Sequence, residues 1–159
     1  MYCDILPLPK TEMTIYQKLQ NFKELKKNLR VLAMDTLVDT AEEYKGYQIE
    51  QWLHGERNDG NKIGEYKDSR YADDKARLNP LAGGSVDLIL NRDFSNELTL
   101  RRESDKKYLV YSQDWKMGKL VGQYGPMIFY LNPTYLLQFR SKVYMREFKS
   151  RCEKVVNGV

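Results

Sequence analysis

Histidine, cysteine and long apolar runs are scarce in this chain of 159 residues. His54 is its one histidine, and Cys3 and Cys152, its two cysteines, stand near opposite ends of the sequence. Zinc sites are built mainly from clustered cysteine and histidine, so a zinc site is nearly excluded and we expect unpaired cysteines. No apolar run approaches the roughly 20 residues of a transmembrane helix. The N-terminal segment lacks the features of a secretory signal, which predicts a cytosolic origin.

The cationic excess of the chain is concentrated at its C-terminal end. The net charge is +4, and the residues from Arg140 onward contain six cationic side chains against two acidic ones. A basic helix next to a neutral body indicates contact with an acidic protein or nucleic-acid surface, or else a solvated helix face. The candidate interface residues on this helix are Arg140, Lys142, Arg146 and Lys149.

Residues 1–13 predict an extended arm. Pro7 and Pro9 fix φ and remove backbone donors, which argues against a helix there. Apolar side chains in an arm need a surface to lie on, either the body of this chain or a neighbouring subunit. The candidate interface residues of the arm are therefore Ile5, Leu6 and Leu8. Residues 14–159 are expected to form a single domain.

Residues 14–54 predict one long helix, or two helices joined near residue 30 or 46. Thr14 and Gln17 have the spacing of a capping box, and Gly55 is a natural stop. Apolar residues between them recur at spacings of three and four, as on a buried helix face.

The segment after Gly55 is predicted to connect the N-terminal helix to the sheet. Asp59-Gly60 is a turn dipeptide. Residues 68–78 predict a short helix with Tyr71, Ala72 and Leu78 facing inward, which Asn79-Pro80 would end.

Residues 86–130 predict an antiparallel sheet. Alternating apolar residues indicate strands at 86–90 and 98–101, and an aromatic, β-branched run indicates a third at 108–111. A further short strand is expected at 127–130.

A last helix is predicted to begin at Asn132-Pro133-Thr134. Its buried stripe is expected to comprise Leu137, Tyr144, Phe148, Cys152 and Val155. The expected fold class is therefore α+β, with an extended N-terminal arm, a long N-terminal helix, a small antiparallel sheet and a C-terminal helix.

The polar segment from Asp59 to Lys75 fails two ligand-loop patterns. A calcium loop with Gly60 at its sixth position would need acidic oxygens where Gly55 and Arg57 stand. A phosphate loop would need a Gly-Lys-Ser/Thr ending, which the segment lacks. The segment is therefore interpreted as a turn followed by a short helix.

A metal-dependent nuclease is the enzymatic alternative. Asp93, followed by Asp105 and Lys107, matches an acidic residue and an acidic-x-lysine triplet, which would hold a divalent cation and orient a water. Such a triplet arises easily by chance in a chain with 30% charged residues. We expect no enzymatic activity and no cofactor.

Nucleic-acid binding is the non-enzymatic alternative. Twelve tyrosines and 26 basic residues would suffice for a surface that stacks bases and binds phosphates. Most of the tyrosines fall on apolar stripes or in predicted strands, and no RNP, KH or zinc signature occurs. The alternative is thus an accessory protein that contacts nucleic acid through its basic C-terminal helix.

Two stretches of the sequence carry a family resemblance: DGNKIGEYKDSRYADDKARLNPLAGGSVDLILNRDFSNELTL and YGPMIFYLNPTYLLQF. They resemble phage virion-morphogenesis proteins, the family of tail-completion and head–tail joining (neck) proteins. The first is similar to the turn, short helix and strand in the middle of such proteins, with Asn91-Arg92 where the family prefers Thr-Gly. The second is similar to the closing step into the terminal helix. The resemblance covers roughly residues 40–155.

This resemblance implies a non-enzymatic structural protein of a tailed-phage virion, which forms an oligomeric ring in tail completion or head–tail connection. The implied partners are further copies of the chain and neighbouring virion proteins of the connector or tail tube, with non-specific DNA contact as a further option and no membrane. Assembly is expected in the cytoplasm of the bacterial host.

Overall fold

The computed structural model describes residues 13–89 and 93–159 and has a mostly helical α+β fold. The long N-terminal helix, the small antiparallel sheet and the C-terminal helix confirm the predicted fold class. Of the predicted arm, only Met13 lies within the described residues, so Ile5, Leu6 and Leu8 lie outside them.

Seven helices and two strands follow one another along the described residues. They are α1 (Ile15–Asp39), α2 (Ala41–Leu53), α3 (Ser69–Leu78), α4 (Asp93–Asn96), β1 (Leu98–Ser104), β2 (Lys107–Ser112), α5 (Met117–Tyr124), α6 (Pro133–Phe139) and α7 (Met145–Asn157). Short 3-10 turns lie at Pro80–Ala82 and Pro126–Phe129, and a π-helical turn, Arg140–Tyr144, joins α6 to α7.

The predicted capping box and glycine stop bound the first two helices. The backbone N–H of Thr14 donates to Gln17 Oε1 at 2.8 Å, and the N–H of Gln17 donates to Thr14 Oγ1 at 3.2 Å. At the other end, Gly55 has φ +66°, a left-handed conformation that glycine adopts without a Cβ penalty. The chain therefore leaves α2 where the sequence predicted.

The two helices are separated at Thr40, and not near residue 30 or 46 as expected. Thr40 has φ −100° and ψ +22°, outside the helical range. Its hydroxyl donates back to Thr36 O at 2.9 Å and lies 3.3 Å from Leu37 O. A threonine hydroxyl that bonds to the preceding turn tends to bend a helix. The buried Thr40 therefore marks the break.

β1 and β2 form an antiparallel hairpin. Leu98 pairs with Ser112 and Arg102 with Tyr108, which confirms the strands predicted at 98–101 and 108–111. The other two predicted strands are wrong within the described residues. Residues 86–89 are irregular because Leu88 adopts φ +53°, and the segment expected as a strand at 127–130 lies mostly in the 3-10 turn Pro126–Phe129.

Two adjoining apolar clusters form the core. The first is centred on Trp52 and Phe94, whose ring centroids lie 5.3 Å apart, and it includes the buried Ile128. The second joins α2 to α6 through Tyr44 and Phe139, which meet edge to face at 5.4 Å. The core thus lies between α2, the hairpin and the segment that leads into α6.

Three side chains of α2 hold the chain segment before α6. Gln48 Nε2 and Trp52 Nε1 both donate to Ile128 O, at 3.1 and 2.7 Å. Gln51 Nε2 donates to Tyr130 O at 3.0 Å, and Gln51 Oε1 accepts from the N–H of Asn132 at 2.6 Å. These bonds satisfy backbone groups that would otherwise be buried without partners.

The buried stripe of the last helical segment differs from the prediction. Leu137 is 65% exposed, whereas Tyr135 and Phe139 are buried. A π-helical turn inserts one residue, so the inward positions run Tyr135, Phe139, Tyr144 and Phe148, with a gap of five at the turn. Past the turn, the predicted Tyr144, Phe148 and Cys152 are half-buried, and Val155 is exposed.

Candidate interaction surface

Residues 15–31 of α1 and residues 140–159, which comprise the π-helical turn and α7, form a helix pair at one side of the fold. Asn21 Nδ2 donates to Val156 O at 3.1 Å, so the start of α1 lies against the end of α7. The hydroxyl of Tyr144, just before α7, donates to Ala33 O at 3.2 Å. The two helices therefore run antiparallel.

This helix pair concentrates positive charge beyond what either helix has alone. Residues 15–31 contain five cationic side chains and one acidic one, and residues 140–159 contain six and two. The pair therefore has a net charge of +8. The remaining residues have 15 cationic and 19 acidic side chains, a net charge of −4. The protein is thus electrically divided, because folding places its two basic segments side by side.

The four predicted residues of the C-terminal helix are exposed, as an interface requires. Arg140, Lys142, Arg146 and Lys149 all face solvent. Of these, Lys149 lies 3.9 Å from Glu153, a weak surface pair. Whether these residues contact a partner stays a prediction.

Arg151 has a structural role within the pair. Its Nε donates to Glu147 Oε1 at 2.8 Å, and its Nη1 donates to Asp39 Oδ2 at 2.6 Å. The hydrogen bond to Glu147, with that to Asp39, raises the pKa of the guanidinium. Arg151 thus ties α7 to the end of α1 and is not free to bind an outside anion.

The cations of α1 escaped the sequence reasoning. Residues 1–139 have no net charge when they are summed together, which hides the excess of four in residues 15–31. The detectable signal was local: Lys18, Lys23, Lys26, Lys27 and Arg30 all fall within thirteen positions. A charge sum over the predicted helix, residues 14–54, gives six cationic and six acidic side chains, so only a shorter window reveals the excess.

Beside the helix pair, an open apolar cavity of about 430 Å³ lies between the end of α1 and α6. Leu37 and Tyr108 form one wall, and the partly or largely exposed Leu136 and Leu137 form the other, next to Arg140. Exposed apolar patches on a folded protein usually mark interaction sites.

The three residues of the nuclease hypothesis do not come together. Phe94 O accepts a hydrogen bond from Ser112 Oγ at 3.0 Å, which places the neighbouring Asp93 at the open end of the hairpin. Asp105 lies at the closed end, where its carboxylate pairs with Arg102. Lys107 Nζ lies 2.7 Å from Glu103. The seven-residue β1, roughly 20 Å long, separates Asp93 from the other two.

The segment from Asp59 to Lys75 begins with a tight turn. Asp59 accepts hydrogen bonds from Arg57 Nε at 2.9 Å and from the N–H of Asn61 at 3.0 Å, and Gly60 has φ +78°. The Arg57 hydrogen bond lowers the pKa of Asp59 to about 2. The hydrogen bonds of this carboxylate all lie within the turn and stabilise it, in agreement with the turn predicted at Asp59-Gly60.

The same segment ends in a buried ion pair. Lys75, inside α3, lies with its Nζ 2.8 Å from Asp87 Oδ1 and donates to Ile89 O at 2.7 Å. Tyr66 and Asn79 donate to the same carboxylate at 3.1 and 3.0 Å. The helix bounds agree with the prediction, but its orientation does not: Lys75 faces inward, and Tyr71 and Leu78 are exposed.

No group of three or more histidine, cysteine, aspartate or glutamate side chains is placed to hold a metal in the part of the chain that the structure describes. None of its described helices is long and apolar enough to cross a membrane. Cys152 is a free, half-buried thiol, and Cys3 lies outside the described residues.

Comparisons of the chain with protein-family models, with curated proteins and with solved structures find no match.

Proposed function

We propose that the protein is a non-enzymatic structural component of a tailed-phage virion. It acts in tail completion or head–tail connection, as an oligomeric ring in contact with connector or tail-tube proteins. The single observation that supports this best is the basic helix pair, whose α1 half exposes large apolar side chains from Ile15 to Val31. Surfaces that combine exposed apolar residues with charge are typical of assembly interfaces.

The sequence resemblance supports the same proposal from another direction. It spans roughly residues 40–155 and includes the turn, the short helix α3 and the step into α6, whose bounds follow the local signals in the sequence. The α1 part of the helix pair lies outside this span, whereas α7 lies mostly within it. The exposed apolar side chains of α1 are therefore a support that is independent of the resemblance.

Loss of the protein from the phage tests this function. A stop codon early in the gene should yield filled heads and separate tails, or tails of incomplete structure, in electron micrographs of lysates. Expression of the intact chain from a plasmid should restore joined particles. A normal yield of intact, infectious particles without the protein would contradict the proposal.

A second candidate function, a nucleic-acid accessory protein, is favoured by the +8 charge of the helix pair. Such binding would release counterions and fall steeply as salt rises. Fluorescence anisotropy with a labelled DNA duplex, between 50 and 200 mM salt, measures this directly. The Arg146→Glu/Lys149→Glu variant should lose most of the affinity if the basic helix is the binding element, whereas affinity equal to that of the unchanged chain would exclude it.

A further inference from the structure

The exposed apolar side chains of α1 form a stripe along one face of the helix. Ile15, Leu19, Phe22 and Leu29 follow one another at spacings of four, three and seven, which places them within about 80° of the helix circumference. They are 88, 50, 55 and 43% exposed. We name these four residues the α1 stripe. It lies beside the face of α1 that packs on α7, where Asn21 and Leu25 are half-buried.

Cations border the α1 stripe on both sides. Lys18 lies along one edge, Lys23 and Arg30 lie along the other, and Lys26 falls within it. Two copies of α1 paired stripe to stripe would set these cations against one another, in parallel or antiparallel orientation. The charge pattern therefore disfavours a symmetric pairing of α1 helices and favours an acidic surface as the partner.

An acidic groove of matching character lies elsewhere on the same chain. α2 and the π-helical turn enclose an open cavity of about 620 Å³. Glu43 and Glu50 form its acidic edge, Tyr47 and Val143 give it apolar walls, and Lys142 closes the far side. α2, which forms the acidic edge, has three acidic side chains and one cationic one, a net charge of −2.

Gly46 lines this groove, and no contact within the single chain explains why this position is a glycine. Glycine weakens a helix interior relative to alanine, and nothing lies within 4 Å of the place that a Cβ would occupy. No packing inside the monomer therefore requires a glycine at position 46. A missing side chain on an exposed helix lets another helix approach its backbone closely.

The α1 stripe cannot fill the groove of its own chain. α1 ends at Asp39 and α2 begins at Ala41, so the groove lies next to the C-terminal end of α1. The N-terminal half of α1 points away from there and is held on α7 by the Asn21–Val156 hydrogen bond. Only another molecule can supply the helix.

We propose that the α1 stripe of one copy docks in the α2 groove of the next copy, head to tail. The interface is heterologous, because each copy uses two different surfaces, and such contacts close into a ring when the rotation between copies allows it. This inference rests on the proposed function, since it names the contact by which the ring would form.

Complementary defects in two variants test the docking directly. The stripe variant is Leu19→Asp/Phe22→Asp, and the groove variant is Gly46→Trp, which fills the floor of the groove. Sedimentation velocity should show assemblies for the unchanged chain and monomers for either variant alone. An equimolar mixture of the two should give dimers, because each variant keeps the surface that the other has lost.

Two controls keep this test interpretable. Gly122→Trp adds the same side chain at another helix glycine with nothing within 4 Å, in α5, and should assemble like the unchanged chain. Circular dichroism should show equal helix content in all variants. If the charge-reversed variant Glu43→Lys/Glu50→Lys assembles as well as the unchanged chain, Glu43 and Glu50 do not attract the cations beside the α1 stripe.

Several outcomes would overturn the inference. They are a monomeric unchanged chain at about 100 µM, assembly that survives in either variant, and a mixture that stays monomeric. Assembly that appears only after deletion of residues 2–12 would show that the chain's own N-terminal segment covers the α1 stripe in place of a second copy. If virions contain the chain but incorporate the stripe variant normally, the proposed interface is wrong and the proposed function is kept. If dimers form in the mixture but virions lack the chain, the proposed function is wrong and the interface is kept.

Discussion

The ammonium group of Lys75 lies 2.8 Å from the carboxylate of Asp87, and both residues are almost completely buried, at 4 and 1% exposure. The pair joins α3 to the irregular segment that follows it. Each charge finds further partners, since Lys75 also bonds to Ile89 O, and Asp87 also accepts from Tyr66 and Asn79. The polar segment that begins at Asp59 thus ends at Lys75, in a buried ion pair that stabilises the fold.

Removal of one partner of this pair should destabilise the fold strongly. We expect Lys75→Met to lower the free energy of unfolding by about 3–5 kcal/mol, because Asp87 is left as a buried, uncompensated charge. Urea denaturation followed by circular dichroism measures the loss. Arg77→Ala, which breaks the exposed pair with Asp74, is the matched control and should cost less than about 1 kcal/mol. Equal losses in the two variants would refute the role of the buried pair.

The hydrogen bonds of Gln51 should matter in the same way. Gln51→Ala leaves Tyr130 O and the N–H of Asn132 without their partners, which is expected to cost about 1–3 kcal/mol for each group that stays buried and unsatisfied. Gln20→Ala, on the exposed face of α1, should change the free energy of unfolding by less than about 0.5 kcal/mol. If the urea midpoints of both variants coincide with that of the unchanged chain, Gln51 does not hold this segment.

Tyr44 predicts a loss of stability at alkaline pH. Burial raises the pKa of Tyr44 to about 12, whereas tyrosine in an unfolded chain ionises near 10. Below pH 10 both states keep the proton, so this contribution to stability is fully present. Between pH 10 and 12 the unfolded chain releases it first, and stability falls by up to about 1.4 kcal/mol per pH unit for this one group.

The Tyr44→Phe variant isolates that effect. It should show a shallower decline of the free energy of unfolding between pH 10 and 11 than the unchanged chain, measured by urea titration at each pH. Some decline should remain, because burial also raises the pKa of Tyr66 and of Tyr108. Identical slopes for the two proteins would show that Tyr44 ionises equally in the folded and unfolded states.

The π-helical turn predicts an unusual tolerance of deletion. Removal of Ser141 should turn Arg140–Tyr144 into regular helix and keep Tyr135, Phe139, Tyr144 and Phe148 on one face, because the turn contains one extra residue. We expect the variant to fold with a loss below about 2 kcal/mol. Deletion of Glu50 in α2 is the control: it rotates the preceding part of α2 by about 100° relative to Gln51 and Trp52, and should abolish cooperative unfolding.

Local signals in the sequence predicted the ends of helices well. The Thr14 capping box, the stop at Gly55 and the Asn132-Pro133 start each depend on residues within one turn of the helix end. The hairpin was also predictable, because alternation in β1 and the aromatic run in β2 are both local patterns. Helix ends and hairpins that depend on residues close in sequence could therefore be predicted.

Features set by distant residues were not predictable in this way. The apolar alternation at 86–90 suggested a strand, but Asp87 is drawn into the interior by Lys75, and Leu88 takes a left-handed conformation. The residues near 128 also have strand-forming character, yet Ile128 O bonds to Gln48 and Trp52 of α2. In both places tertiary contacts outweighed local preference.

The candidate surface was half predictable. The cations from Arg140 to Lys149 followed from a charge count, and they are exposed as expected. The sequence alone could not show that α1, more than a hundred residues earlier, would lie against them. That pairing depends on contacts such as Tyr144–Ala33, which no spacing rule predicts.

The presence of the chain in the virion tests the central claim most directly. Quantitative mass spectrometry of phage particles purified on a density gradient from the host strain should detect the protein at a fixed, low copy number relative to the major capsid protein, as expected for one ring per particle. Particles from which the protein is absent, while it is abundant in the surrounding lysate, would contradict the account.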